Sequence, residues 1–318
     1  MAQVGCAGVL VADTFCGPMR ELPREGQLLA IDAILPMAGG CAANVAIGVA
    51  RQGISVDVVG CLGKDASAKS VVSSLESERV GCGQMAYSDR YPTSKTVILV
   101  VEGQDRRYIH MFGANQDFTV AHLDRDWIAG LSVFYLGGLF VLPGIAMDEL
   151  VDLLRFCRER EVVTVVDVVV PQGSSGAGAV RDLLPQIDYF LPNEDEAREI
   201  TGQADPLDQL RWLMANGARA AVVTRGESGA IAGQGRNFWQ AGAYRIPVVD
   251  PSGSGDAFTT GVIVSLRHGW DMPRTLCYAS ALGASATRAL GTTPGLFTPA
   301  EAEAYVAEHP LAIASGTL

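Results

Sequence analysis

Gly253, Ser254, Gly255 and Asp256 follow one another in VVDPSGSGDAF, residues 248–258. Extended, β-branched YRIPVV precedes them, and DAFTTGVIVSLRHG, a mostly apolar helical run closed by Gly269, follows. The first turn of a helix leaves backbone N–H groups unpartnered, with partial positive charge. Glycines at 253 and 255 carry no Cβ, so an anion can come close to those amides. The place suits a phosphate, or a phosphoryl group in flight. A carboxylate at 256 is unhelpful for holding phosphate alone, but it fits a base that takes the proton of an attacking hydroxyl. The same four residues also fit a plain helix start, with Asp256 favouring the dipole.

Three further stretches carry polar groups at helix or strand ends. MAGGCAANVAIG joins the pair Gly39 and Gly40 to a helix with Asn44 in its first turn; close helix packing is the alternative. PNEDEAREITG opens a helix with Asn193 and Glu196 three residues apart, a spacing that a capping box also explains. VVTRGESGA ends a strand in a turn containing Thr224, Gly226 and Gly229.

The elements that must position these residues alternate. VGCAGVLVA, SVDVVGCLG, LSVFYLGG, VVTVVDVVV, IDYFLP and RAAVVTRG are expected as strands. Helices are expected at CAANVAIGVARQG, ASAKSVVSSLESERV and MDELVDLLRFCRERE. Near-continuous apolar strands in a βαβα order predict a mainly parallel sheet with helices on both faces. Two regions break the rhythm: residues 13–37 lack a long helix pattern, and residues 93–112 predict a hairpin turning at EGQD. These predict a small separate sheet, a lid or subunit contact, on one 1–318 domain. PQGSSGAGAV is the single Gly/Ser-rich loop.

Bulk properties narrow the function. The chain has 318 residues, 48% hydrophobic and 19% charged, enough for a substantial core. A formal charge of −11 without a basic cluster argues against nucleic acid or an anionic membrane as partner. No uncharged run approaches a membrane span, and the N-terminus lacks a signal-peptide pattern. Seven dispersed cysteines without a C-x-x-C pair suit reduced thiols in a cytoplasm. The missing G-x-G-x-x-G after the first strand counts against a dinucleotide enzyme, and Asp65 in GCLGKDAS counts against a P-loop.

In this order the stretches resemble the ribokinase-like (PfkB) carbohydrate kinase family over essentially the whole chain. AGGCAANVAIGVARQG is similar to its N-terminal signature, and VVDPSGSGDAFTTGVI to its C-terminal one. The resemblance implies a three-layer α/β fold with a β lid, and a kinase moving the γ-phosphoryl group of ATP to a hydroxyl of a sugar or nucleoside. It implies Asp256 as base and the amides of Gly253, Ser254 and Gly255 as anion hole. Asn193, Thr224, Gly226, Gly229 and Ser280 would border the nucleotide, with Glu196 organising Mg²⁺ through water. Asp13, Gly39, Gly40, Asn44 and Asn115 would meet the acceptor; a carboxylate can accept from two adjacent hydroxyls. Asp250 and Ser252 stand at a monovalent-cation position, K⁺ in relatives. A homodimer through the lid is implied as well. Pro251, Cys41 and Ser280 replace the usual Thr, Lys and Asn, and FYLGGLFVLPG lacks an acidic residue that some ribose-specific members carry. These departures open the acceptor's identity, with a non-catalytic sugar sensor as the third possibility. Arg106, Arg107 and His110 on the hairpin are candidates for either face of the lid, as acceptor contacts or as a solvated surface.

Overall fold

The computed structural model describes residues 3–104, 106–170 and 177–318. The central sheet has nine strands, in the order Ile313–Thr317, Asn237–Ala241, Ala230–Gln234, Ala220–Thr224, Tyr189–Phe190, Val163–Val166, Val133–Gly137, Val4–Gly8 and Val56–Val59. The six strands from Ala220–Thr224 to Val56–Val59 pair in parallel, as the βα rhythm predicts, and the other three extend that edge antiparallel. Successive strand residues point to opposite faces. Phe134 and Leu136 therefore join one apolar core, and Val133 and Tyr135 the other. Burial on both faces is why these strands read as unbroken apolar runs.

Helices Met147–Glu159, Glu194–Thr201 and Pro206–Ala215 cover the first face. Helices Cys41–Arg51, Ser254–His268 and Met272–Ala286 cover the second. In Met147–Glu159 the buried positions are Leu150, Leu153, Leu154 and Cys157, an apolar stripe at helical spacing.

A separate four-stranded sheet forms the lid, in the order Ile34–Gly39, Val11–Met19, Lys95–Val101, Arg107–Met111. Its alternation decides which side chains face inward. Asp13 pairs with Met37 and with Thr96, and Thr96 pairs with His110, so these four form one row across the sheet. Phe15, Ile98 and Val100 lie on the same face and pack with Leu290 of the body.

Several strand expectations need correction. VGCAGVLVA is two strands in two sheets, because the chain crosses over at Gly8, where φ is 132° and a Cβ would overlap the Gly137 carbonyl. SVDVVGCLG likewise splits into Val56–Val59 and Cys61–Gly63, the latter pairing with Ala86–Ser88. IDYFLP contributes only Tyr189–Phe190, and YRIPVV pairs with no strand. Asp105 of the EGQD turn and residues 171–176 of the Gly/Ser loop lie outside the described residues.

Candidate active site

Two helix N-termini meet in the cleft under the lid. The Cys41–Arg51 and Ser254–His268 helices pack so tightly that a Cβ on Gly48 would overlap the Thr260 hydroxyl. Gly253 caps the second helix at φ 75° and ψ 0°, where a side chain would run into Thr292. At Gly255 a Cβ would meet nothing within 4 Å, so that side is open. The Ser254 amide makes only a long 3.4 Å contact to the Pro251 carbonyl. The amides of Gly253 and Gly255 have no protein acceptor among the described residues. An unpartnered first turn of this kind is a ready anion site.

Asp256 sits in that turn with a fixed orientation. Its Oδ2 accepts from Asn44 Nδ2 at 2.8 Å, and Asn44 Oδ1 accepts from Thr292 Oγ1 at 2.8 Å. Asn44 is thus placed to orient the acid. Burial, then the charge of Asp167, holds the Asp256 carboxyl well above the ordinary carboxylate range, with Asn44 and the Cys41 thiol pulling the other way.

Asp167 is the residue the motifs do not single out. It follows strand Val163–Val166, with Oδ2 accepting from Tyr135 Oη at 2.7 Å and Oδ1 from the Gly138 amide at 2.9 Å. A lone Asp inside VVTVVDVVV, at the carboxyl end of a parallel strand, is the signal that marks it. Cys41 Sγ and carboxylate oxygens of Asp167 and Asp256 lie within 4.8 Å of one another. A helix N-terminus ordinarily favours thiolate. Here burial and the carboxylates of Asp256, Asp167 and Glu196 win, and Cys41 stays a neutral thiol.

Asp13 approaches from the lid, 7% exposed, its carboxyl pushed up to about 6 by burial and held back by a hydrogen bond from Thr96. The Gly39–Gly40 pair makes room for it: a Cβ on Gly39 would overlap the Asp13 carboxylate, and Gly40 has φ 88°. Asn115 is placed differently. Its Oδ1 accepts from the Leu10 amide at 3.2 Å and its Nδ2 donates to the Leu10 carbonyl at 2.9 Å, so its amide ties the lid's root to the body. Both polar atoms of its amide are thereby engaged by Leu10. Arg107 faces outward, where it donates to Gln104 Oε1 at 2.7 Å.

On the far side of Asp256, Thr224, Gly226, Gly229 and Ser280 line one cavity of about 450 Å³, with Ser254 and Gly255 on its shared wall. Val248 and Phe258 add apolar surface there. Gly229 has φ 87°, and a Cβ would overlap the Ala241 carbonyl. Asn193 is bridged to Thr224, and with Glu196 it forms the capping box: the Glu196 amide donates to Asn193 Oδ1 at 2.9 Å, and Glu196 Oε2 accepts from the Asn193 amide at 2.8 Å.

Two cation positions were tested against their side chains. Burial, then the charges of Asp167 and Asp256, pushes Glu196 up to about 8. Asp167 raises both Asp256 and Glu196, and Asp256 raises Glu196; carboxylates so crowded fit a hard divalent cation, which oxygen ligands suit. Asp250 is fully buried, its Oδ1 accepting from the Ser252 amide and its Oδ2 from the Gly291 amide, both at 2.9 Å. Among the described residues the buried Ser252 hydroxyl has no partner, which fits an oxygen-liganded cation there.

The profile of pfkB family carbohydrate kinases matches residues 20–299. The chain belongs to this family. Relatives include the ATP-dependent 6-phosphofructokinase of Thermoanaerobacterium thermosaccharolyticum, 24% identical over 260 residues and 80% of each chain. The aminoimidazole riboside kinase of Salmonella typhimurium is 23% identical over 294 residues, 88% of this chain and 91% of that one. Among solved structures, an E. coli protein described as ribokinase II, in complex with ATP and Mg²⁺, superposes with a TM-score of 0.83 at 21% identity. That match covers 97% of this chain and all of that one. The PfkB chain is therefore a phosphotransferase with an alcohol group as acceptor, on the ribokinase fold. No helix among the described residues is long and apolar enough to cross a membrane.

Proposed function

We propose that this PfkB kinase transfers the γ-phosphoryl group of ATP to a hydroxyl of a sugar or nucleoside, within one domain spanning 1–318. The observation that carries this is the position of Asp256. It stands in the unpartnered first turn, between the 450 Å³ cavity and Asp13, with Asn44 aiming its carboxyl. Asp256 takes the proton of the attacking hydroxyl, and its raised affinity for protons suits that task. The Gly253, Ser254 and Gly255 amides receive the charge that spreads over the phosphoryl oxygens. Asp13 grips adjacent hydroxyls and sets which oxygen reaches Asp256. Glu196 and Asp167 would hold Mg²⁺, which when bound offsets charge on the phosphates. Asp250 and Ser252 would hold K⁺ behind the anion hole. The amides of Gly253–Gly255 act from fixed positions and need no reorganisation during the step.

The lid's outward face leaves Ile34 63% exposed at one edge and Ile109 65% exposed at the other, with Met111 also exposed on the strand of Ile109. That face is where a second copy would pair; a solution mass of one chain by light scattering would remove this part.

The test of the catalytic assignment is Asp256→Asn. Turnover of ATP with an acceptor should fall by about 10²–10⁴, while ATP binding measured by calorimetry stays within about threefold of wild type. Turnover near wild type would sink the assignment.

A further inference from the structure

Strand Arg107–Met111 forms the free edge of the lid, and its inward side chains are aromatic. Tyr108 pairs with Ile98, which packs toward Leu290, and His110 pairs with Thr96, which faces Asp13. Asp13 in turn acts on Asp256, so this face looks into the cleft. Phe112 continues at the same spacing, its ring edge-on to His110 with centroids 4.7 Å apart. Tyr108 is 54% and Phe112 47% exposed. Three rings at alternate positions, exposed on the side that faces the reaction, offer a planar group a stacking surface, with the Arg106 guanidinium 5.9 Å from the Tyr108 ring centre.

His110 is held in place. Its Nδ1 lies 2.9 Å from Thr96 Oγ1, and Thr96 pairs with Asp13 across the sheet. The ring is thereby tied to the row that carries Asp13. Charge narrows the ligand further. None of the inward lid positions on the four strands is Lys or Arg. Arg106, before the strand, donates to Tyr108 Oη at 2.5 Å. Asp13 on the lid and Asp167 and Asp256 on the body are all carboxylates. An anionic acceptor would be repelled, and a bare polyol would satisfy Asp13 while leaving the rings wet.

We propose that Tyr108, His110 and Phe112 form a stacking wall, and that the acceptor is a polyol bearing an uncharged planar ring, a nucleoside or aryl glycoside. This rests on the kinase reading above. The full-length protein with Mg²⁺ and ATP is assayed for ADP release with inosine, p-nitrophenyl β-ribofuranoside, ribose and fructose 6-phosphate. Either ring-bearing riboside should exceed ribose and fructose 6-phosphate in kcat/KM by about tenfold or more. A lead of inosine over the nitrophenyl riboside assigns a base, and the reverse an aryl group. Tyr108→Ala and Phe112→Ala should each raise KM for the better riboside about tenfold with kcat within about threefold, and Tyr108→Phe should restore it. Ribose or the sugar phosphate matching the ribosides, with KM unmoved in the variants, would overturn the wall and leave the kinase standing. If none of the four is turned over, calorimetry of inosine beside a non-hydrolysable ATP analogue decides. Binding that weakens in Tyr108→Ala keeps the wall and removes the kinase reading; no binding removes the wall.

Discussion

The two ends of the cleft are built from different materials. The end proposed for the nucleotide is mostly backbone and small residues: glycines at 226, 229, 253 and 255, with Thr224, Ser254 and Ser280. The end proposed for the acceptor is side chain: Asp13 and His110 from the lid, Asn44 and Cys41 from a helix, Asp167 from a strand end. Backbone amides recognise phosphate in any nucleotide and depend on chain geometry alone. Side chains on a separate sheet can be exchanged one at a time. Such a division lets one fold keep its chemistry while the acceptor changes, and substitutions at the two ends should therefore fail in different ways.

The largest effects are expected in the glycine turn, and they separate geometry from space. Gly253→Ala must hold a Cβ at φ 75° against Thr292, which costs about 1–2 kcal/mol in backbone strain before the clash is counted. Gly255→Ala meets no protein atom within 4 Å, so the fold should accept it, yet the methyl would stand where phosphoryl oxygens approach. Both should lose about 10²–10³ in kcat. Only Gly253→Ala should lower Tm by several degrees. Equal Tm losses would mean that the turn is read wrongly.

At the other end, Asp13→Asn should act on the acceptor. A carboxylate accepts from two hydroxyls, and an amide oxygen with an N–H₂ beside it cannot do so in the same way. KM for the acceptor should rise about ten- to a hundredfold, for charged hydrogen bonds worth about 1.5–3 kcal/mol, while KM for ATP stays within about twofold. A matching rise in the ATP KM would erase the distinction between the two ends.

How much of this was legible follows the same division. The turn at Gly253–Asp256 and the glycines at 226 and 229 could be read directly, because positive φ and close approach leave a glycine signature in sequence. The doubly buried strands were legible from their Val/Ile runs. Where one run served two sheets, as in VGCAGVLVA, periodicity gave no sign of the crossover, since only the contact of Gly8 with Gly137 marks it. Asp167 was hidden because one carboxylate after an apolar strand has no spacing partner; its partners, Tyr135 and Gly138, come from a neighbouring strand end. Asn115 shows the converse. Its position suggested the acceptor, and nothing in the sequence announced that its amide also bonds the Leu10 backbone.

The smallest expected effect lies where the two ends touch. Asn44 reaches Asp256 from one side and Thr292, which also crowds Gly253, from the other. Its N–H favours the ionised carboxylate, while burial and Asp167 favour the neutral acid. A base must be deprotonated to act, so kcat/KM should fall as pH drops through a midpoint above the ordinary carboxylate range. Asn44→Ala removes the group that lowers this midpoint, so the acid limb should move to higher pH, by roughly one pH unit for a bond worth about 1.4 kcal/mol. Activity at pH well above the limb should recover to within about tenfold of wild type, because the base itself remains. A loss that no pH restores would assign Asn44 to the acceptor directly, and would place it with Asp13 and not with the turn.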